Sequence, residues 1–271
     1  MRPSERGGIA LHEFELFAGH PGLIAGCTDR LGGVSKPPYD ELNVGLHVGD
    51  DADAVIENRR RVVEAIGADL NSLVMPLQIH QGHVAVVTAA DRGSGARSLD
   101  GAIPDTDAIV TDEPGVVLAV MLADCVPVIV FDPVAPAVGV AHAGWGGTVN
   151  HVTRNTVDAL ARHYGSDPAD MLVGVGPSIG PASYEVGDDV AQRARTAFPT
   201  VDVVRPKGDG KYLFDLWESN VADLLAAGVP RANIEVAGID TFDSAGRFFS
   251  HRRQRPTGRF VALACLRAPK A

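Results

Sequence analysis

Short apolar runs alternate with helical periodicities along this chain. Residues 84–88, 116–122, 126–131, 137–141 and 171–175 are rich in valine and bounded by Gly, Pro or Asp, a pattern that predicts strands. A final strand is expected over 259–266 (RFVALACL). Elsewhere the apolar positions recur at helical spacing. Val55, Val62, Val63 and Ile66 share one face of a helix over 54–66 that stops at Gly67. Val149, Val152, Val157, Leu160 and Tyr164 predict a helix over 148–164. A helix over 215–227 opens with Asp215 and Glu218 at capping-box spacing, and another is expected over 189–198. The strands between 116 and 141 follow one another with no room for crossover helices. A regular βαβ array is therefore excluded, and an α+β fold with mixed sheets in a single domain over 1–271 is expected. No fixed-period repeat or low-complexity linker divides it. Residues 92–104 (RGSGARSLDGAIP) read as a loop.

Composition narrows the function classes. With 271 residues, 45% of them hydrophobic, the chain can bury a sizeable core. Its 24 Lys+Arg against 34 Asp+Glu give a net charge of −10, a poor match to nucleic acid or an anionic membrane. At 6% aromatic content, a base-stacking platform is not expected either. No apolar run approaches a membrane span, and residues 1–12 lack the apolar core of a signal peptide. The three cysteines, Cys27, Cys125 and Cys265, make no disulfide framework, so a reducing, cytoplasmic location is expected.

Three polar residues stand at the ends of apolar runs, where a rigid scaffold offers side chains to a cleft: His80, Cys125 and His142. Imidazole and thiolate are preferred zinc donors, and three protein ligands leave a fourth position for water or substrate. The spacing has none of the Cys-x-x-Cys pairing that marks structural zinc. Two other readings of the same residues stay open. Cys125 could be a small buried hydrophobe and the histidines ordinary hydrogen-bonding residues. Alternatively, Cys125 and His142 could form a nucleophile–base pair, which also needs a deprotonated thiol. His83 lies three residues after His80 and on a strand would face the other side. Cys27 and Cys265 read as structural. Residues 28–35 (TDRLGGVS) form a glycine-containing turn, and Asp51 or Asp53 suits a helix cap. Residues 174–181 (GVGPSIGP) match neither the dinucleotide fingerprint nor the P-loop. Residues 250–255 (SHRRQR) are the basic cluster of an acidic chain, fit for phosphate or carboxylate oxygens or simply a solvated loop.

Taken in order, TDRLGGVS, LNVGLHVGDD followed by ENRR, QIH, ADCVP, HAGWGG, GPSIGPASYEV and FFSHRR resemble the YfiH-like family. That family is also described as domain of unknown function 152 and as laccase-domain or polyphenol oxidase proteins. The resemblance runs from about residue 17 to 266. It implies a single-domain α+β fold with mixed β-sheets stacked between helices, in α/β/β/α layers. It also implies a zinc site at His80 of QIH, Cys125 of ADC and His142 of HAGW. The implied chemistry is phosphorolysis of adenosine, inosine and methylthioadenosine, and deamination of adenosine to inosine. The partners are then a nucleoside and phosphate, with no nucleic acid or membrane. Some members are instead described as cytoplasmic peptidoglycan-editing factors, which would make the same zinc site an amide hydrolase. On the purine reading, Cys125, Arg30 and Asn43 are catalytic candidates. Arg252 and Arg253 are candidates for substrate binding.

The older oxidase label implies copper. A blue site with a trinuclear cluster needs about ten histidines, mostly in His-x-His pairs. This chain has nine histidines and no such pair, so copper is expected only as an adventitious ion in vitro. The chain also departs from the family's usual pattern. Gly146 stands where Arg is common, Gln81 where Gly is usual after QIH, and Asp240-Thr241 where Cys-Thr often occurs.

Overall fold

The computed structural model describes residues 1–244 and 246–267; residues 268–271 of the expected domain span lie outside the described residues. In chain order the strands are β1 (Arg2–Arg6), β2 (Ile9–Glu13), β3 (Leu23–Thr28), β4 (Leu73–Val74), β5 (Val84–Val86), β6 (Ala108–Thr111), β7 (Val117–Leu122) and β8 (Val126–Asp132). They continue with β9 (Ala137–Ala143), β10 (Leu172–Val175), β11 (Glu185–Val186), β12 (Val204–Gly208), β13 (Lys211–Phe214), β14 (Ile234–Val236) and β15 (Phe260–Leu266). The helices are α1 (Ala52–Ala65), α2 (Trp145–Val149), α3 (Val152–Tyr164), α4 (Asp188–Ala197) and α5 (Leu216–Ala226). Two six-stranded mixed sheets result, ordered β1-β2-β3-β15-β7-β4 and β14-β10-β8-β9-β6-β5, with a small sheet β11-β13-β12 beside them.

Strand alternation fixes the layers. In β7, Leu118, Val120 and Leu122 point into a core shared with the second sheet, where Ile129, Phe131, Val138 and Val140 meet them. Val117, Ala119 and Met121 of the same strand face the other way, onto Val62 and Val63 of α1. On the far side of the second sheet, Val128, Val130 and Ala141 pack against Val157 and Leu160 of α3 and Val221 and Leu224 of α5. The order is helix, sheet, sheet, helices: the expected α+β architecture of mixed sheets between helices. Because both sheets are covered on both faces, their central strands read as unbroken apolar runs.

All six expected strands form, within two residues of the expected ends. β1 and the small sheet carry no long apolar run, whereas β3 (LIAGCT) carries one that the sequence reading did not single out. One expected helix differs. The chain is helical from Trp145, but the helix breaks at Asn150–His151 and restarts at Val152. His151 sits in the left-handed region at φ 58°, and this redirects α3 against the sheet.

The turn between β7 and β8 places the site. β7 belongs to the first sheet and β8 to the second, so Ala123-Asp124-Cys125 crosses between layers. Asp124 takes φ 85° there. Thr241 Oγ1 donates to its Oδ1 at 2.8 Å and the Arg252 amide to its Oδ2 at 2.6 Å. Both carboxylate oxygens are thereby committed to holding the crossover.

Candidate metal centre and its cavity

Three separate segments bring three donors together. His80 lies in the loop between β4 and β5, Cys125 on the crossover, and His142 near the end of β9. Their ligand atoms all lie within 4.8 Å of one another, and the two imidazoles meet edge to face at 4.7 Å. Two imidazoles and one thiolate at this separation fit a borderline-soft divalent ion such as zinc. His142 is buried, Cys125 half-buried and His80 exposed, so the cluster faces outward on one side.

The glycines of HAGWGG allow this approach. A Cβ on Gly144 would sit 2.9 Å from both Cys125 Sγ and His80 Cδ2. One on Gly146 would meet the His80 carbonyl oxygen at 2.5 Å. Gly146 thus seats the His80 backbone.

Asp107 organises the cluster from beneath. It is fully buried, just before β6. Its Oδ1 accepts from the His80 amide at 2.9 Å and pairs with His142 Nδ1 at 2.9 Å, while its Oδ2 accepts from the Gln81 amide at 2.6 Å. With Nδ1–H engaged, His142 presents Nε2 as the donor atom. Burial opposes the charge on Asp107, but His142 and the two amides outweigh it and hold the carboxyl below its usual range. Burial likewise opposes a Cys125 thiolate, yet the adjacent His142 and His80 bring the thiol down. The ligand form of the cysteine is therefore the favoured one.

The cluster opens onto a cavity of about 430 Å³. Leu77, Leu99, Met121 and Ala123 form its apolar wall, and His47, His251 and Arg259 its polar one. Gln78 also lines it, donating to the Met121 carbonyl and accepting from the Met121 amide. His47 is pushed down to about 4, first by burial, then by the charges of Arg259 and Arg59.

The other sequence candidates lie elsewhere. Among the described residues, Arg30, Asn43, Arg252 and Arg253 do not line this cavity. Arg30 stacks over Phe249 at 4.5 Å and pairs with Asp40 at 3.3 Å. Arg252 donates to the Glu185 carbonyl and lies over Tyr184; Arg253 donates to the Phe242 carbonyl. Asn43 is fully buried, its Oδ1 accepting from Gly45 and Arg259 amides and its Nδ2 donating to Asp50. The basic run at 250–255 contributes its histidine to the cavity rather than its arginines. His83 pairs with the Asp105 carbonyl and stands outside the donor set.

The sequence reading did not single out Asp107, His47, His251 or Arg259. Asp107 has no spacing signal, being one acid ahead of a strand. His47 and His251 sit inside quoted motifs, where only their types marked them.

The family model for multi-copper polyphenol oxidoreductase laccase matches residues 24–267. The chain is 43% identical over 245 residues to purine nucleoside phosphorylase YlmD of Geobacillus stearothermophilus, covering 89% of each. It is 36% identical over 247 residues to adenosine deaminase RL5 of an unknown prokaryotic organism, covering 90% of this chain and 94% of that one. The crystal structure of Bacillus licheniformis hypothetical protein YfiH superposes with a TM-score of 0.91 at 39% identity, covering 96% of this chain and 97% of that one.

Proposed function

This chain belongs to the multi-copper polyphenol oxidoreductase laccase family, and on that premise we propose that it is a zinc-dependent purine nucleoside phosphorylase that also deaminates adenosine. Its substrates on this reading are adenosine, inosine and methylthioadenosine, with phosphate, in the cytoplasm. One observation carries the proposal: a His80–Cys125–His142 donor cluster opening on a cavity of about 430 Å³ with one apolar wall and one polar wall that includes Arg259. Relatives named for purine nucleoside phosphorylase and adenosine deaminase activity support it.

His80, Cys125 and His142 would hold the metal. Bound there, zinc supplies Lewis acidity that polarises a substrate or water oxygen. The chain's own residues do the rest. Asp107 keeps the proton on His142 Nδ1 and fixes the ring's orientation. Leu77, Leu99 and Met121 offer an apolar face to a purine and exclude water from it. Gln78 locks the loop before His80 to the β7 backbone, holding the donor in place while substrate enters. Phosphorolysis further requires an anion held near the anomeric carbon, which Arg259 on the polar wall can hold. The copper of the family's description is not part of this reading, because nine histidines without a His-x-His pair are a poor supply for a multicopper centre.

The test is a chromatographic assay of the zinc-loaded protein with adenosine, with and without phosphate. Adenine release that depends on phosphate, and is lost in Cys125→Ala, is the expected result. Inosine formation without phosphate reports the deaminase activity. No turnover of any of the three nucleosides by protein holding one zinc would sink the proposal.

A further inference from the structure

The polar wall of the cavity contains donors that the fold does not use. Arg259 Nη1 donates to the carbonyls of Thr257 and Gly258, at 3.1 and 2.9 Å. Among the described residues, its Nε and Nη2 have no hydrogen-bond partner, and neither do the rings of His47 and His251. All three residues line the cavity that the metal cluster faces.

This wall is built, not incidental. The Arg259 amide is held by Asn43 Oδ1 at 2.8 Å, and the Arg259 carbonyl accepts from the Val44 amide at 2.9 Å. Asn43 Oδ1 also accepts from the Gly45 amide at 2.9 Å, two residues before His47. One buried amide therefore sets the relative position of Arg259 and the segment carrying His47. Gly45 leaves space for the arginine stem: a Cβ there would lie 2.8 Å from Arg259 Cγ.

The Arg259 guanidinium makes no ion pair with a carboxylate among the described residues. No carboxylate is among the residues lining the cavity. The nearest acids are engaged: Asp107 with His142 and two amides, Asp124 with Thr241 and the Arg252 amide. Arg59, buried and bonded to the carbonyls of Val44, Gly95 and Ala96, has no acidic partner among the described residues. Its positive field adds to that of Arg259. In a chain of net charge −10, two arginines without a carboxylate partner beside one cavity are not a by-product of a basic surface.

We propose that Arg259, His47 and His251 form an oxyanion subsite beside the metal cluster, and that its ligand is free inorganic phosphate. A guanidinium edge with two unused donors matches adjacent oxygens of a tetrahedral anion, and two imidazoles can serve a third. Naming phosphate rests on the phosphorolysis reading; the existence of an anion site does not.

Calorimetric titration of the zinc-loaded full chain with inorganic phosphate tests this directly. Losing charge-assisted hydrogen bonds, Arg259→Gln is expected to weaken phosphate binding about tenfold or more. His47→Gln and His251→Gln are expected to weaken it several-fold and guard against misfolding of the arginine variant. In kinetics, the KM for phosphate should rise in all three. Binding of AMP measured in parallel separates a free anion from one carried on a nucleotide. Unchanged phosphate affinity in all three variants, no phosphate binding by the parent, or weakening confined to AMP would overturn the proposal. Weakened phosphate binding in a protein without phosphorolysis would uphold the subsite and sink the functional reading instead.

Discussion

Asp107 is the residue on which the donor cluster's geometry turns. It fixes the His142 tautomer and ties down the backbone at His80 and Gln81 with one buried carboxylate. Asp107→Asn keeps the size but presents an amide nitrogen to one of those partners, so a donor meets a donor. Loss of such an outer contact typically costs ~10–100-fold in metal affinity. Chelator competition on the purified variant is therefore expected to show zinc held one to two orders of magnitude less tightly. An affinity equal to the parent's would show that the ligands orient themselves without it. At this scale the sequence was legible where chemistry restricts residue type. His80, Cys125 and His142 stood out because few residues hold a soft metal. Asp107 did not, because any buried acid before a strand looks the same until its partners are seen.

Among the elements, the informative departure is the break between α2 and α3. Val149 and Val152 are three apart, so the apolar face continues through the break and hides it. The cause lies in tertiary contacts. His151 Nδ1 reaches Asp223 Oδ1 at 2.8 Å, and Asn150 Nδ2 reaches Gln81 Oε1 at 3.0 Å, beside the metal loop. Asp223 is 3% exposed, and its other oxygen has no partner among the described residues. Burial pushes its carboxyl up to about 6, against the pull of His151 and Arg154. A folded-state value raised above the ordinary carboxylate range means that the native protein takes up a proton first. The stability associated with this group is present at low pH and falls as pH rises through about 6. His151→Ala removes the main compensating partner and should cost about 1–3 kcal/mol at pH 7. That deficit should shrink on acidification to pH 5, as Asp223 becomes neutral. Denaturant melts of parent and variant at the two pH values measure it, and a deficit that grows on acidification would contradict the assignment of its cause to Asp223.

At the scale of the whole molecule, the two-sheet architecture makes metal binding and stability one question. The α+β layering could be read from strands too closely spaced for crossovers, since every central strand is covered on both faces. Which strands pair could not, because an unbroken apolar run gives no register. It is that pairing which carries residues 123–125 from one sheet to the other and sets Cys125 against His142 of the second sheet and His80 of the loop between β4 and β5. A metal held by all three would join the sheets across their edge and would not find the site in the unfolded chain. Linkage then gives roughly 3 kcal/mol of stabilisation at a hundredfold excess of free zinc over its Kd. For a chain of this size that is a rise in Tm of about 5–10 °C. Scanning calorimetry with zinc and with excess chelator should show this shift in the parent. Cys125→Ala should melt at one temperature under both conditions, near that of the chelated parent, because the thiol's packing is small beside the lost ligand. A variant that still answers to chelator would place the metal elsewhere. A parent indifferent to chelator would mean that the three donors meet for a reason other than a metal.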